Sequence, residues 1–162
     1  MPLVAGVSGL NNARVDAALL AAGAWDVAPL EFPCAGASWL GVHVTYDEDP
    51  AATDGAVDVQ LELSPYAVAA NVPTGAEEWI PQTLYAPGAV VPGADTESLA
   101  QAEYITFDPT LATPQAITFA PVAIRGVFER FRVRARESGD IANPGDCQIT
   151  VTLYDGHMFG VQ

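Results

Sequence analysis

Four arginines at every second position are the residues of this chain best suited to binding an acidic group. Arg130, Arg132, Arg134 and Arg136 alternate with Phe, Val and Ala in the stretch R-F-R-V-R-A-R. With Arg125 they account for five of the six basic residues, and the chain contains no lysine. Guanidinium groups bind carboxylates and phosphates through paired hydrogen bonds. We call residues 130, 132, 134 and 136 the arginine ladder and predict that it meets an acidic partner.

The overall charge argues against nucleic acid as that partner. Twenty Asp and Glu residues give the chain a net charge of −14, and an acidic field repels a polyanion. Four like charges on one face of a strand also repel one another, so carboxylates must offset them. Two sources are open: a neighbouring strand of the same chain, for which Asp58, Gln60 and Glu62 are suited, or an acidic surface of another subunit.

The motifs of common hydrolases are absent. The stretch G-V-S-G at 6–9 is not a nucleophile elbow, because the elbow needs its second glycine one position later. No H-E-x-x-H or phosphate-binding loop occurs. None of the carboxylates forms an evident glycosidase pair. We therefore predict that the chain is not an enzyme and has no catalytic residues.

One acidic loop is a candidate metal site. Asp47, Asp49 and Asp54 lie together in the loop 47–55, and calcium prefers several hard oxygen ligands. The spacing does not match an EF-hand. Solvated surface charge is the competing interpretation, so the only cofactor that we consider is calcium.

Cys34 and Cys147 are predicted to be buried free thiols, because both lie in apolar, strand-like contexts. A disulfide is the alternative. Two cysteines are too few for a zinc site, and neither His43 nor His157 lies at ligand spacing from a cysteine.

The elements that carry these residues are predicted to be strands. Apolar and polar residues alternate over 37–46, over 56–63 and in both arms of 125–154. Turn-forming residues within 37–63 and 125–154 predict two β-hairpins. Shorter strands are expected at 29–33, 78–85, 103–107 and 116–119; the prolines in the first two favour sheet edges or bulges.

These strands predict an all-β fold with one domain. About eight strands with one apolar face each favour a single antiparallel β-sandwich or jelly roll, because two sheets can bury their apolar faces together. Residues 24–162 are assigned to this sandwich. Residues 1–23 are predicted to form an N-terminal arm or a short helix that Asn11 could cap and Gly23 could end. A strand near Ala17 to Ala21 is the competing interpretation.

The sequence also bears on location. No apolar run approaches the ~18–20 residues of a membrane helix, and the first 13 residues contain no charged side chain, unlike a signal peptide. We expect a cytosolic origin and no membrane partner.

Several stretches resemble a known class of proteins. They are R-V-R-A-R-E-S-G-D-I-A-N-P-G-D followed by Q-I-T-V-T-L-Y, the earlier V-D-V-Q-L-E-L-S-P, and W-I-P-Q-T-L-Y-A-P-G. In these the chain resembles the small, single-domain virion proteins of tailed bacteriophages. The resemblance implies a jelly-roll-like auxiliary protein, often a homotrimer, that decorates or cements the outside of a capsid and is assembled in the bacterial cytoplasm.

Under this hypothesis the partners are the major capsid protein and further copies of the chain. The predicted interface residues are the arginine ladder together with Leu3 and Val4 of the N-terminal arm. The alternative function is a carbohydrate- or cell-surface-binding module of a phage fibre or baseplate. Its candidate sugar-stacking residues are Trp39, Trp79 and Tyr85, which are otherwise expected in the core.

Overall fold

The computed structural model describes residues 7–14, 23–84, 104–108, 115–119, 121–124 and 127–154. These residues form ten strands and a short 3₁₀ helix, Ala69–Asn71. The strands are β1 Val7–Arg14, β2 Glu31–Pro33, β3 Trp39–Asp47, β4 Val57–Ser64, β5 Ile80–Gln82, β6 Ile105–Phe107, β7 Gln115–Thr118, β8 Val122–Ala123, β9 Arg130–Glu137 and β10 Asp146–Tyr154. No helix among these residues is long and apolar enough to span a membrane.

Two antiparallel sheets pack face to face, which confirms the predicted β-sandwich. Sheet A has the order β1-β10-β3, with β7 and β8 both on the far side of β3. Sheet B has the order β2-β9-β4, with β5 and β6 both on the far side of β4. When β5 with β6 and β7 with β8 are each counted as one interrupted strand, eight strands remain in the orders 1-8-3-6 and 2-7-4-5. This is a jelly-roll topology.

The two predicted hairpins are wrong. β3 and β4 lie in different sheets, as do β9 and β10. β4 pairs instead with β9, from Val57 opposite Glu137 to Ser64 opposite Arg130, and β10 pairs with β3 along nine residues. Alternation and turn residues indicate that two strands follow each other. They do not indicate whether the strands pair edge to edge or pack face to face, because both arrangements bury the same apolar side chains.

The prediction of an arm or short helix over residues 1–23 also needs correction. Residues 7–14 form β1, an edge strand of sheet A that pairs antiparallel with β10. Irregular register on either side of Leu10 and Asn11 shows why the stretch lacks the simple alternation of a strand. The open edge of β10 supplies the hydrogen-bond partners that local sequence does not reveal. Residues 1–6 and 15–22 of the predicted arm lie outside the described residues.

The core lies between the sheets and is lined by the inward residues of β3, β4, β9 and β10, the central strands of the two sheets. Leu40, Val44, Leu61, Phe131 and Ile149 are fully buried within it. Strand β4 differs from the others because all eight of its residues are buried, on both faces. Something must therefore cover the outer face of sheet B over β4.

Gly139 gives a direct test of how tightly the loops at one end of the sandwich are packed. A Cβ atom there would lie 2.0 Å from the carbonyl oxygen of Asp54 and 2.6 Å from the amide nitrogen of Ala56. Both contacts are with backbone, so Gly139→Ala is expected to lower the free energy of unfolding by about 2 kcal/mol.

The matched control is Gly75→Ala. Gly75 has a φ of +84° and open space around the added Cβ, so its substitution costs only the backbone conformation, about 1 kcal/mol. Urea denaturation of both variants measures the difference. Equal losses of unfolding free energy in the two variants would show that the loops around Gly139 accommodate the added Cβ without a packing penalty.

Candidate functional site

The arginine ladder lies on the outer face of sheet B, along β9. In the register of β9 with β4, Arg136 is opposite Asp58, Arg132 is opposite Glu62 and Arg134 is opposite Gln60. The structure therefore shows the intramolecular pairing that the sequence allowed. The acidic strand that faces the ladder is β4 of the same chain.

Three of the four guanidinium groups form short ion pairs. The Nε atom of Arg136 donates to Oδ2 of Asp58 at 2.8 Å, and the Nε atom of Arg132 donates to Glu62. Arg130 is opposite Ser64, which carries no charge. It instead pairs with Glu31 of β2 and with Glu78, whose Oε1 is 2.7 Å from Nη2. These carboxylates offset the repulsion within the ladder.

Arg134 is the exception. Its Nη1 atom is 3.7 Å from Oε1 of Glu62, beyond hydrogen-bond distance, and Glu62 already accepts a hydrogen bond from Arg132. The Nε atom of Arg134 is buried and has no hydrogen-bond partner. The reason is visible in the register, because the residue opposite Arg134 is the neutral Gln60.

Aromatic rings cover the ladder. The guanidinium groups of Arg130 and Arg132 stack on the Trp79 ring, at 4.9 and 4.2 Å from the ring centroid. Those of Arg134 and Arg136 lie over the Trp25 ring, at 5.6 and 4.4 Å. Tyr104 contacts Arg136 at 5.0 Å and meets Trp25 edge to face. These cation–π contacts each contribute about 0.5–2 kcal/mol.

The cover explains the burial of the outer face of β4. Asp58 is 2% exposed and Glu62 is 6% exposed, although neither points into the core. Sheet B therefore carries a paired ionic layer beneath aromatic side chains from three separate segments. The Trp79 ring, which the sequence offered as a sugar-stacking residue, packs on two arginines of the ladder instead of standing free.

A second charged group lies inside the sandwich. Glu137 is fully buried at the end of β9, on the core side. Its carboxylate accepts hydrogen bonds from the Tyr46 hydroxyl at 2.9 Å and from the backbone N–H groups of Ala56, Gly139 and Gly145 at 2.9–3.1 Å. It thereby joins β3 of sheet A to β9 of sheet B and to the adjoining loops.

Sequence reasoning missed Glu137, although a signal was present. Phe131, Val133 and Ala135 point to the core, and the same alternation places Glu137 on the core face two residues later. A carboxylate at such a position must find several donors, because an unpaired buried charge is very costly.

Both cysteines are buried free thiols, as the sequence predicts. The Cys34 S–H group lies 3.6 Å from the carbonyl oxygen of Phe128. Burial raises the pKa of the Cys34 thiol from 9.0 to about 11, and the nearby Glu129 carboxylate adds to the increase. Burial also raises the pKa of the Tyr46 hydroxyl well above its ordinary value of 10.0, with a further contribution from its hydrogen bond to Glu137.

These two shifts predict a loss of stability in alkali. Both groups hold their protons more tightly in the folded state, so their stabilising effect is complete below the unfolded pKa of Cys34, 9.0, and declines as the pH rises through about 11. The urea midpoint is expected to fall over this range. It should fall less in the Cys34→Ala and Tyr46→Phe variants, which lack one titrating group each. A midpoint that rises or stays constant above pH 9 would contradict the prediction.

The candidate calcium loop does not gather its carboxylates into a coordinating group. Asp49 accepts a hydrogen bond from the amide of Ala51, and Glu48 accepts one from the amide of Gly55, each at 2.7 Å. Within the described ranges, no set of three or more His, Cys, Asp or Glu side chains is arranged to hold a metal ion. Asp47, Asp49 and Asp54 all belong to these ranges.

The outer face of sheet A differs sharply from that of sheet B. From the Trp39–Tyr154 pair to the Thr45–Gln148 pair, β3 and β10 present no Asp, Glu or Arg side chain on this face. The residues of this stretch are Trp39, Gly41, His43, Thr45, Gln148, Thr150, Thr152 and Tyr154. Trp39 is directly opposite Tyr154, and the Tyr154 ring lies close to Gly41. The His43 Nδ1 atom is 2.7 Å from the Thr118 hydroxyl. We call this surface the neutral face.

The predicted interface residues Leu3 and Val4 and the candidate Tyr85 lie outside the described residues. A comparison with protein-family models found no match, and a comparison with curated proteins found no relative.

Proposed function

We propose that the chain is a structural virion protein that decorates and stabilises a phage capsid from the outside. The observation that carries the proposal is the neutral face, an uncharged stretch of the outer face of sheet A on a chain with a net charge of −14. Such a surface can pack against another protein without removing a charge from water. The acidic remainder keeps copies soluble at the high local concentration of a capsid lattice.

The fold supports this proposal, and so do the structural roles of the charged residues that could otherwise do chemistry. Jelly rolls recur in viral capsid proteins, although a fold shared with them is an analogy and not a function. The groups best suited to chemistry serve packing instead: three of the four ladder arginines form short ion pairs within their own chain, and Glu137 holds the two sheets together. Many weak contacts on a repeating lattice bind strongly together, so no deep pocket is required.

Sedimentation of the tagged chain with capsids of the phage that encodes it tests the proposal. Thr150→Arg places a charge at the centre of the neutral face and is expected to reduce the bound fraction at least about tenfold. Thr74→Arg adds the same charge at an exposed loop position outside both sheets and should bind as the parent does. Absence of the parent chain from capsids would overturn the proposal.

The N-terminal arm needs a separate variant. Because residues 7–14 form β1, a truncation at residue 23 would remove a strand of the sandwich. Deletion of residues 2–6 removes Leu3 and Val4 and leaves β1 intact. We expect weaker capsid binding with an unchanged free energy of unfolding; full binding would remove these two residues from the interface.

The neutral face also favours a second function, binding of an uncharged carbohydrate. Adjacent aromatic residues Trp39 and Tyr154 offer an apolar platform for a sugar ring, and the threonines and His43 offer hydrogen-bonding groups. Jelly rolls also occur in lectins. A glycan array with the parent, Trp39→Ala and Thr74→Ala distinguishes the functions: a sugar signal lost only in Trp39→Ala favours carbohydrate, and no signal excludes the sugars on the array.

A further inference from the structure

Two buried side-chain atoms in the described part of the chain lack a hydrogen-bond partner, and their charges are opposite. One is the Nε donor of Arg134 and the other is the Oδ1 acceptor of Asp146. Arg134 lies on the outer face of sheet B, and Asp146 begins β10 on the outer side of sheet A. Because the two groups face opposite sides of the sandwich, they cannot pair within one molecule.

Arg134 presents the least compensated positive charge of the ladder. The Nε atom itself is buried, but 24% of the side chain is exposed, so a partner reaches the positive charge through the exposed part of the side chain and not through Nε. The Trp25 ring contacts Arg134, and Trp79 and the 41% exposed Tyr104 contact the neighbouring Arg132 and Arg136. Arginine, tryptophan and tyrosine are the residue types that contribute most often to the energy of protein interfaces.

Asp146 presents the complementary charge. It pairs in register with Asp47, and both line a cleft of about 90 Å³ together with Glu48 and Asp49. Four carboxylates at one end of the sheet create a strongly negative potential. The carboxylates of this end therefore attract a guanidinium group from outside the molecule.

We propose that Arg134 of one copy binds the Asp146 end of a second copy of the same chain. The contact is heterologous, since the two surfaces differ, and repetition of it closes a ring or extends a row of subunits. A second copy of the chain is the partner that we propose, because its acidic end is complementary in charge to Arg134. This proposal concerns contacts between copies and does not depend on the capsid or on the neutral face.

Sedimentation velocity of the full chain over a range of concentrations at low salt tests the proposal. The parent is expected to associate, and added salt should weaken the association because the contact is ionic. Arg134→Gln and Asp146→Asn should each weaken it about tenfold or more. Asp54→Asn, at an exposed loop position, is the control for the loss of one negative charge and should associate as the parent does.

A mixture of the two variants gives the sharpest result. Arg134→Gln retains an intact Asp146 end, and Asp146→Asn retains an intact Arg134 face. A 1:1 mixture is therefore expected to form dimers and nothing larger, at a concentration at which each variant alone is monomeric. A monomeric mixture, or association of Arg134→Gln equal to the parent, would overturn the proposal.

Gln60→Glu provides a variant that removes no group from the ladder. It places a carboxylate opposite Arg134 within the same chain and so competes with the second copy. We expect association as weak as in Arg134→Gln with the fold retained, which circular dichroism and urea denaturation verify. The proposal is overturned if folded Gln60→Glu associates as strongly as the parent. It is also overturned if the parent stays monomeric at every concentration.

Discussion

Replacement of Glu137 by alanine is expected to lower the free energy of unfolding by about 4 kcal/mol, since hydrogen bonds to a charged group are worth about 1.5–3 kcal/mol each and are not additive. The carboxylate is fully buried and accepts four hydrogen bonds. Its loss leaves the buried Tyr46 hydroxyl and the N–H groups of Ala56 and Gly145 without an acceptor, while the Gly139 N–H keeps a longer contact, 3.4 Å, with the Ala56 carbonyl oxygen. A loss of this size approaches the whole stability of a typical domain, about 5–15 kcal/mol.

Two further variants separate the contributions. Tyr46→Phe removes one donor and is expected to cost about 1 kcal/mol. Glu137→Gln keeps one acceptor oxygen but turns an NH₂ group towards N–H donors, so its loss should lie between the other two. A double-mutant cycle of Tyr46→Phe with Glu137→Ala gives the coupling of the pair. A loss below about 1 kcal/mol in Glu137→Ala would contradict the structural role of this carboxylate.

Replacement of Glu62 by alanine is the second large effect, expected at about 3 kcal/mol because breaking a buried ion pair leaves its partners uncompensated. Glu62 is 6% exposed and pairs with Arg132, while Arg134 lies within ionic distance. Both arginines are partly exposed, which reduces the penalty below that of a fully buried pair. The measurement is urea denaturation at low and high salt.

The matched control is Glu77→Ala. Glu77 is an exposed glutamate in the loop before β5, and its removal should change stability by no more than about 0.5 kcal/mol. The loss in Glu62→Ala should also persist at high salt, because buried pairs are screened much less than exposed ones. Equal losses in the two variants would mean that the covered ladder behaves as an ordinary solvated surface.

Local sequence determined much of the fold of this protein. Alternation over β3, β4, β9 and β10 predicted which residues face the core, because a strand places successive side chains on opposite faces. Pro33 and Pro81 predicted edge strands, and β2 and β5 do lie at the ends of the order in sheet B. The like charges of the ladder predicted an acidic partner, because such charges need opposite charges nearby, and Asp58 and Glu62 belonged to one of the two sources that the sequence left open.

Only the tertiary structure decided which strands meet. The paired central strands β3 and β10, and likewise β4 and β9, are distant in sequence, since this jelly roll sends most consecutive strands to opposite sheets. The edge strand β1, the burial of Glu137 and the aromatic cover of the ladder depend on this pairing. Trp25, Trp79 and Tyr104 come from three separate segments, and short-range patterns carry no information on contacts between such segments.

The arginine ladder shows the division most clearly. Its alternation, its charge and its need for carboxylates were determined by the sequence itself. Which arginine stays incompletely paired was decided by register, because the pairing of β9 with β4 sets the neutral Gln60 and not an acid opposite Arg134. A shift of one residue would change every cross-strand partner, and that register is set by packing of the core on the opposite face.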